Sequence, residues 1–234
     1  MMATKNLQLH CLPAAQRRLW NELGEVPSEF ILCGGTALAL LLGHRRSIDY
    51  DFFSYQNIDA RRLKSTIPFL ADAEVLQEER NTLTVAVKRG KPVIVSFFGV
   101  PTLQRISLTK PLGQPKIQLA SPIDLAGMKA AVVTQRVEMK DYLDLHALLT
   151  QTSLTILDAL AAAAKIYGQR FNPLLSLKAI GDLQAPELTK LSPRVKRALR
   201  TLVAEVDLKT LAQDLKKRKL TRRCRLSPIP QPSR

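Results

Sequence analysis

The chain has 234 residues, of which 46% are hydrophobic, and it carries a formal net charge of +15. This length allows one large domain or two small ones, and the hydrophobic content excludes a wholly disordered chain. No apolar run reaches the ~20 residues that span a bilayer, and the first residues lack the apolar core of a secretory signal. Its three scattered cysteines fit neither a disulfide framework nor a metal site, so we expect a cytoplasmic protein without membrane contact.

The first part of the sequence predicts an α/β core. Apolar spacing predicts a strand, a helix and a second strand at residues 30–33, 36–42 and 47–53, with a glycine turn before the helix and Gly43 at its end. The other elements predicted in this part are helices at residues 14–23 and 61–69, a β-hairpin at residues 82–87 and 93–98, and a short strand at residues 116–119.

After residue 120 the sequence becomes helical. Ser121, Pro122 and Asp124 provide a helix start: a capping hydroxyl, a proline at the first position and an acid near the positive end of the dipole. Helices are predicted at residues 121–137, 140–150, 154–167, 187–191, 192–208 and 211–220. We therefore expect an α/β core at residues 1–120, a helical region at residues 121–225 and a disordered, proline-broken tail at residues 226–234.

The most informative motif joins a glycine pair to two aspartates. Gly34 and Gly35 follow an apolar run, and Asp49 and Asp51 alternate with apolar residues in a second one. Residues two apart in a strand share a face, so the two carboxylates favour a bound cation, and Mg²⁺ is the usual choice. A glycine turn at a helix start offers N–H groups to a phosphate. The alternative is an ordinary tight turn followed by exposed acids.

This arrangement resembles the DNA polymerase β nucleotidyltransferase superfamily and, within it, the AbiEii/AbiGii toxin-like family. The residues that carry the resemblance are Gly34-Gly35-Thr36-Ala37, Arg46-Ser47-Ile48-Asp49-Tyr50-Asp51-Phe52-Phe53, Leu125-Ala126-Gly127-Met128-Lys129 and Arg136…Lys140-Asp141-Tyr142-Leu143-Asp144-Leu145. The resemblance implies an α+β fold with a polymerase-β-like nucleotidyltransferase core, in which helices flank a mixed sheet. It also implies that the C-terminal helical region completes the active-site cleft.

Roles for individual residues follow from the same resemblance. Asp49 and Asp51 would be catalytic and would coordinate Mg²⁺. Lys129 and Arg136 would grip the triphosphate, while Asp141 would complete the catalytic acids. The other residues implied in nucleotide binding are Gly34, Gly35, Thr36, Arg46 and Ser47. For two of these an alternative stays open, because Thr36 could simply cap the helix and Arg46 could pair with one of the aspartates.

The sequence departs from the superfamily pattern at the third carboxylate. Superfamily members usually carry this acid on a later strand of the sheet, but residues 93–98 contain none, and Ser96 stands where it is expected. In the helical half, Lys129 and Arg136 are seven residues apart and are expected to share a face of one helix, and Asp141 and Asp144, three residues apart, could also share a face. The alternative is that Arg136 or Lys140 pairs with Asp144 on a solvated helix surface.

We therefore expect a Mg²⁺-dependent nucleotidyltransferase that moves a nucleoside monophosphate from a nucleoside triphosphate to an acceptor hydroxyl. From Lys209 to Arg234 there are nine basic residues and one acid, which favours RNA, perhaps tRNA, as the acceptor. The resemblance implies a toxin–antitoxin or phage-defence setting with a cognate antitoxin. Alternatives are a catalytically weak nucleotide-binding module, a protein acceptor and phosphoryl transfer, and for the basic segment a solvated tail.

Overall fold

The computed structural model describes residues 7–218 and residue 220 of the chain. These residues form two compact units. The first unit extends to Gln104 and resumes at Leu108–Ala120, and the second contains Arg105–Ser107 and the described residues from Ser121 onward. Each unit buries its own set of apolar side chains.

The first unit is built on a five-stranded sheet. Its strands are β1 (Ile31–Cys33), β2 (Asp49–Ser54), β3 (Glu74–Glu79), β4 (Thr82–Arg89) and β5 (Lys91–Gly99). Their spatial order is β1-β2-β5-β4-β3, in which the β2–β5 pair is parallel and the other strand pairs are antiparallel. The mixed sheet confirms the predicted fold class.

The helices of the first unit are α1 (Ala14–Trp20), α2 (Gly34–Leu42) and α3 (Ala60–Thr66). Helix α2 begins directly after β1 and ends at Gly43, whose φ of 69° lies in the left-handed region that glycine accepts without strain. The N–H of Gly43 donates to the carbonyl of Ala39 at 2.8 Å and so closes the last turn. The chain then returns to the sheet as β2.

The two faces of the sheet differ in burial. In β2, Tyr50 and Phe52 are buried, whereas Asp49 and Asp51 alternate with them and are half-buried. The side chains that continue the buried face on the neighbouring strands are Leu83, Val85, Val95 and Phe97. This alternation sends the apolar side chains into the core and leaves the aspartates on the more open face.

Parts of the first unit differ from the sequence prediction. Strand β3 was not predicted, because all six of its residues are exposed and show no apolar alternation. The predicted strand at residues 116–119 is wrong, since isolated bridges join Leu32 to Leu119 and Leu112 to Ile117 there. The hairpin is longer than predicted, because Gly90 turns the chain at a φ of 86° between β4 and β5.

The second unit is helical, as predicted. Its helices are α4 (Pro122–Val132), α5 (Met139–Gln151), α6 (Ile156–Tyr167), α7 (Pro173–Gly181), α8 (Pro193–Ala204) and α9 (Leu211–Lys217). The predicted start of α4 is confirmed, because Ser121 Oγ accepts the N–H of Asp124 and Pro122 occupies the first position. Within the described part of the chain, none of the helices combines the length and the apolar character needed to cross a membrane.

Some helix bounds in this unit differ from the prediction. Helix α4 stops at Val132 rather than at residue 137, and α8 stops at Ala204 rather than at residue 208. Helix α7 was not predicted, although Asn172 caps it and Pro173 opens it. The predicted tail at residues 226–234 lies outside the described residues.

Helices α4 and α6 of the second unit approach each other closely at Gly127. A Cβ atom added to this glycine would lie 2.8 Å from the main chain of Ala162 and Ala163. Main-chain atoms of a packed helix cannot move aside as a flexible side chain can, so α4 and α6 can approach this closely only without a side chain at Gly127.

We expect Gly127→Ala to destabilise the protein by about 1–3 kcal/mol, because the added methyl group forces α4 and α6 apart. The matched control is Gly181→Ala, where the added Cβ would lie 3.4 Å from Cγ1 of Val203, a movable side chain. We expect the control to stay within about 1 kcal/mol of the parent, since alanine also favours the helix. Urea unfolding measures both, and equal stability of the two variants would contradict this account of the contact.

Candidate active site

A glycine of the β1–α2 turn lies against an aspartate of β2. Cys33 of β1 pairs with Asp51, so the turn that follows Cys33 lies beside this aspartate. Gly34 has a φ of 67°, and a Cβ added there would lie 2.7 Å from Asp51 Oδ2. No L side chain fits at residue 34, because the conformation is left-handed and the space is taken by the carboxylate. The turn therefore presents bare main chain next to Asp51.

The chain entering β2 is fixed by buried hydroxyl groups. The Thr36 hydroxyl donates to the main-chain carbonyl of Asp49 and is hydrogen-bonded to Ser47 Oγ at 2.7 Å. Thr36 and Ser47 are both buried. These bonds tie the start of α2 to the segment just before the aspartates. The two hydroxyl groups thus position the site from inside the protein.

Ser96 lies beside Asp51 in the sheet. The parallel register of β2 and β5 pairs Asp51 with Ser96 and Asp49 with Ile94. Ser96 is 6% exposed, and its hydroxyl lies 3.2 Å from Oγ1 of Thr84 on β4. The residues that follow Asp51 in register on β5 and β4 are therefore Ser96 and Thr84, and both carry hydroxyl groups. Ser96 is the residue at which the resemblance to the superfamily predicts a strand acid.

Arg46 is exposed just before the aspartates. Among the described residues it pairs with neither Asp49 nor Asp51, which removes the alternative that it serves as their salt-bridge partner. Its main-chain carbonyl accepts a hydrogen bond from the Arg45 guanidinium at 3.0 Å. The Arg46 side chain is therefore available to an anionic ligand.

The second unit contains a buried charge cluster formed by α4, α5 and their connection. Lys129 Nζ of α4 lies 2.6 Å from Oδ1 of Asp141 and 2.7 Å from Oδ2 of Asp144, both on α5. Both aspartates are fully buried, and Lys129 is 6% exposed. Arg136 Nε donates to Asp141 Oδ2 at 2.9 Å. Both oxygens of Asp141 therefore face a cation.

The cluster determines the charge state of Asp141. Burial alone raises the pKa of this carboxyl, but the hydrogen bond from Arg136, together with the charge and hydrogen bond of Lys129, outweighs burial. The net result is a pKa below the ordinary value, so Asp141 is an anion at neutral pH. A carboxylate held in this way is better suited to orienting Lys129 and Arg136 than to accepting a proton.

The sequence prediction for these residues is correct in part. Asp141 and Asp144 do share a face, but Lys129 and Arg136 do not share one helix, because α4 ends at Val132 and Arg136 lies in the connection to α5. The alternative of a solvated pair is wrong for Asp144, which is buried and bound to Lys129. Lys140 instead pairs with Glu138 at 2.8 Å on the surface. The sequence singled out Asp144 by its spacing from Asp141, but its pairing with Lys129 was not predicted.

Comparison with known proteins identifies relatives along most of the chain. The sequence model of a family described as "Nucleotidyl transferase AbiEii toxin, Type IV TA system" matches residues 18–217. An uncharacterized protein of Aquifex aeolicus (strain VF5) is 34% identical over 126 residues, which cover 52% of this chain and 58% of that protein. The match therefore spans little more than half the length of this relative.

Solved structures share the fold. A protein of H. pylori, assigned provisionally as a nucleotidyltransferase, aligns with a TM-score of 0.52 at 17% identity, covering 87% of this chain and 94% of its own. MenT4, a nucleotidyltransferase toxin of Mycobacterium tuberculosis H37Rv, aligns with a TM-score of 0.56 at 14% identity, covering 86% of this chain and 85% of its own. At these identities the likeness extends to the fold alone.

We expect Lys129→Met to destabilise the protein by about 3–5 kcal/mol, because it leaves two buried carboxylates without their shared cation. The matched control is Lys140→Met, whose ammonium pairs with Glu138 on the surface, and we expect a change within about 1 kcal/mol. Urea unfolding at neutral pH measures both variants.

The pH dependence provides a further check on the Lys129 variant. The folded-state pKa of Asp141 is lowered, so its pairing stabilises the protein above the unfolded pKa and is lost as the pH falls through the folded pKa. The difference between parent and Lys129→Met should therefore be largest near neutral pH and should shrink below about pH 4. A difference that stays constant with pH would contradict the role assigned to the cluster.

Proposed function

The chain belongs to the AbiEii family of nucleotidyl transferase toxins, and on that basis we propose that it moves a nucleoside monophosphate from a nucleoside triphosphate to an acceptor hydroxyl. The observation that carries the proposal is the Asp51 carboxylate against the bare main chain of Gly34, with Asp49 on the same face of β2. In the reaction the acceptor oxygen bonds to the α-phosphorus and the bond to the bridging oxygen breaks. Pyrophosphate then leaves and the hydroxyl proton is released to water.

The carboxylates of Asp49 and Asp51 fit Mg²⁺. This ion commonly binds through one or two carboxylates together with substrate phosphates and water. In the part of the chain that the structure describes, His, Cys, Asp and Glu side chains form no cluster of three or more that could hold a metal unaided. A site with these two carboxylates suits an ion that arrives with the triphosphate. When bound, the ion neutralises triphosphate charge and polarises the phosphorus.

The first turn of α2 would seat the triphosphate. Its N–H groups come from Gly34, Gly35 and Thr36, and no side chain among the described residues caps them. Unsatisfied N–H groups at a helix start attract phosphate oxygens, and the absence of a side chain at Gly34 allows close approach. Thr36 and Ser47 would contribute through the hydrogen bonds that fix this turn to β2.

Arg46 is the cation that the first unit offers to a phosphate group, and Lys129 and Arg136 are those that the second unit offers. An ammonium group has three donors, and Asp141 and Asp144 account for two of those of Lys129. The third donor would bind a phosphate oxygen as charge develops. Arg136 is partly exposed, while Asp141 would act as a positioning residue that holds both cations in place.

We assign RNA, with tRNA the preferred class, as the acceptor. The support is the chain's net charge of +15, because a protein with this excess attracts polyanions. Family membership supports a toxin–antitoxin setting, so we also propose a cognate antitoxin.

A second candidate function is favoured by Ser96. The register places this serine where a strand acid would face Asp51, so the group that could take the hydroxyl proton is replaced. A nucleotide-binding module with slow turnover would have this arrangement. Such a protein would bind the triphosphate and RNA and would use the nucleotide mainly as a ligand.

We expect Asp49→Asn and Asp51→Asn each to lower transfer by roughly a hundredfold or more, because each removes a charge that binds the metal and triphosphate. Purified protein would be incubated with Mg²⁺, each labelled nucleoside triphosphate in turn, and total bacterial RNA with protein extract. The label identifies the acceptor class and shows whether a nucleotidyl or a phosphoryl group moves.

The matched control is Glu74→Gln, which removes an exposed carboxylate from β3 of the same sheet. The Glu74→Gln variant should transfer the labelled group to the acceptor at the parent rate. Label that persists in both aspartate variants would refute the proposed site. No label with the parent, although triphosphate still binds, would leave the slow binding module as the better account.

We expect Ser96→Asp to raise the Mg²⁺-dependent transfer rate by about tenfold or more, because it restores a strand carboxylate beside Asp51. The same variant should be less stable without metal, since two carboxylates then share a site. Ser96→Asn, which has nearly the same size without the charge, is the control for both measurements. An unchanged rate in Ser96→Asp would show that the missing strand acid does not limit transfer.

A further inference from the structure

Helix α8 carries an exposed basic face in the second unit. Arg194, Arg197 and Arg200 are exposed and follow one another at intervals of three residues. Residues three apart are neighbours on a helix surface, so each of these arginines leaves the helix about 4.5 Å along the axis from the next. Leu199 points the opposite way and is fully buried. We call these three arginines the basic face. The burial of Leu199 keeps this face of α8 exposed to solvent.

The basic face has no counter-charge within the described residues. The sequence of α8 contains no acid, and Arg194, Arg197 and Arg200 form no ion pair with any described side chain. Arg194 also lies in the first turn, where the helix dipole disfavours a cation. Neighbouring like charges weaken a helix further. The arrangement thus works against the stability of α8 on its own, and an anionic ligand would reverse this.

The face favours a nucleic acid over a protein partner. The cores of protein–protein interfaces are depleted in charged residues and are centred on buried apolar anchors. The large exposed hydrophobic side chains of the described chain include none on α8. Closely spaced arginines without an apolar centre instead match a phosphodiester backbone, which binds through charge and hydrogen bonds to its oxygens.

We propose that Arg194, Arg197 and Arg200 of α8 bind the phosphodiester backbone of the acceptor RNA. This inference rests on the proposed function, since it supplies a binding surface for the acceptor of that reaction. It differs from the expectation drawn from sequence, which assigned acceptor capture to the basic segment at residues 209–234. Contacts of this kind hold and orient the strand without reading its sequence.

The test is the salt dependence of RNA binding. Full-length parent and the triple variant Arg194→Gln/Arg197→Gln/Arg200→Gln would be titrated with total bacterial tRNA across a range of KCl concentrations, without triphosphate. Each lost phosphate contact removes about 0.7 from the slope of log affinity against log salt, so the slope should fall by about 2. Affinity at low salt should fall by about tenfold or more.

The control variant removes the same number of exposed cations from the first unit, as Arg61→Gln/Arg62→Gln/Lys91→Gln. It should keep the parent slope, and thermal unfolding should show that both variants remain folded. Equal slopes for the parent and the α8 variant would overturn the proposal. A control variant whose slope falls as much as that of the α8 variant would overturn it too. A DNA duplex of similar length is titrated in parallel, and a loss confined to DNA would also overturn it.

The binding result is independent of catalysis, because no triphosphate is present. A reduced slope in the α8 variant, together with no transfer by the parent, would support the surface and refute the proposed function. Transfer to RNA by the parent, together with an unchanged slope in the α8 variant, would support the proposed function and refute the surface.

Discussion

The absence of a side chain at Gly34 is the constraint on which the candidate site depends. The Asp51 carboxylate occupies the space that a Cβ would take, and the residue's positive φ turns β1 directly into α2. Any other residue there would displace the carboxylate and strain the turn together. The buried bonds from Thr36 to Ser47 and to the Asp49 carbonyl then fix β2 against the same turn. One glycine thus sets both the main chain that we propose binds phosphate and the position of the carboxylate that we propose binds the metal.

The two pairs of aspartates illustrate opposite solutions to the cost of placing carboxylates together. Asp141 and Asp144 are fully buried, Lys129 Nζ lies less than 3 Å from both, and Arg136 supplies a second positive charge to Asp141. Their charge is balanced within the fold, so they suit a structural and positioning role. Asp49 and Asp51 are half-buried on the open face of the sheet, where a cation from solution can reach them.

The sequence was sufficient to predict those elements whose conformation is determined by residues close together in the chain. The β1–α2–β2 unit was predictable because an apolar run, a glycine pair and alternating aspartates each specify one conformation. Strand β3 was not predictable, because its exposed residues form a strand only by pairing with β4. The Lys129–Asp141 pair joins residues 12 apart on different helices, so spacing alone could suggest it but not establish it. The basic face of α8 was overlooked because the charge of the sequence is densest further along the chain.

Serine at residue 96 affects two separate properties, the charge of the folded sheet and the supply of a proton acceptor for the proposed reaction. An acid at this buried position would add a third negative charge beside Asp51, and it would require a second cation even in the absence of substrate. Serine avoids that requirement, because its hydroxyl is satisfied by Thr84 and needs no counter-ion. In the reaction that we propose, the sheet would therefore need only the ion that the triphosphate brings. What is absent is a nearby group to take the proton of the acceptor hydroxyl, so in the reaction that we propose Ser96 would slow the chemical step.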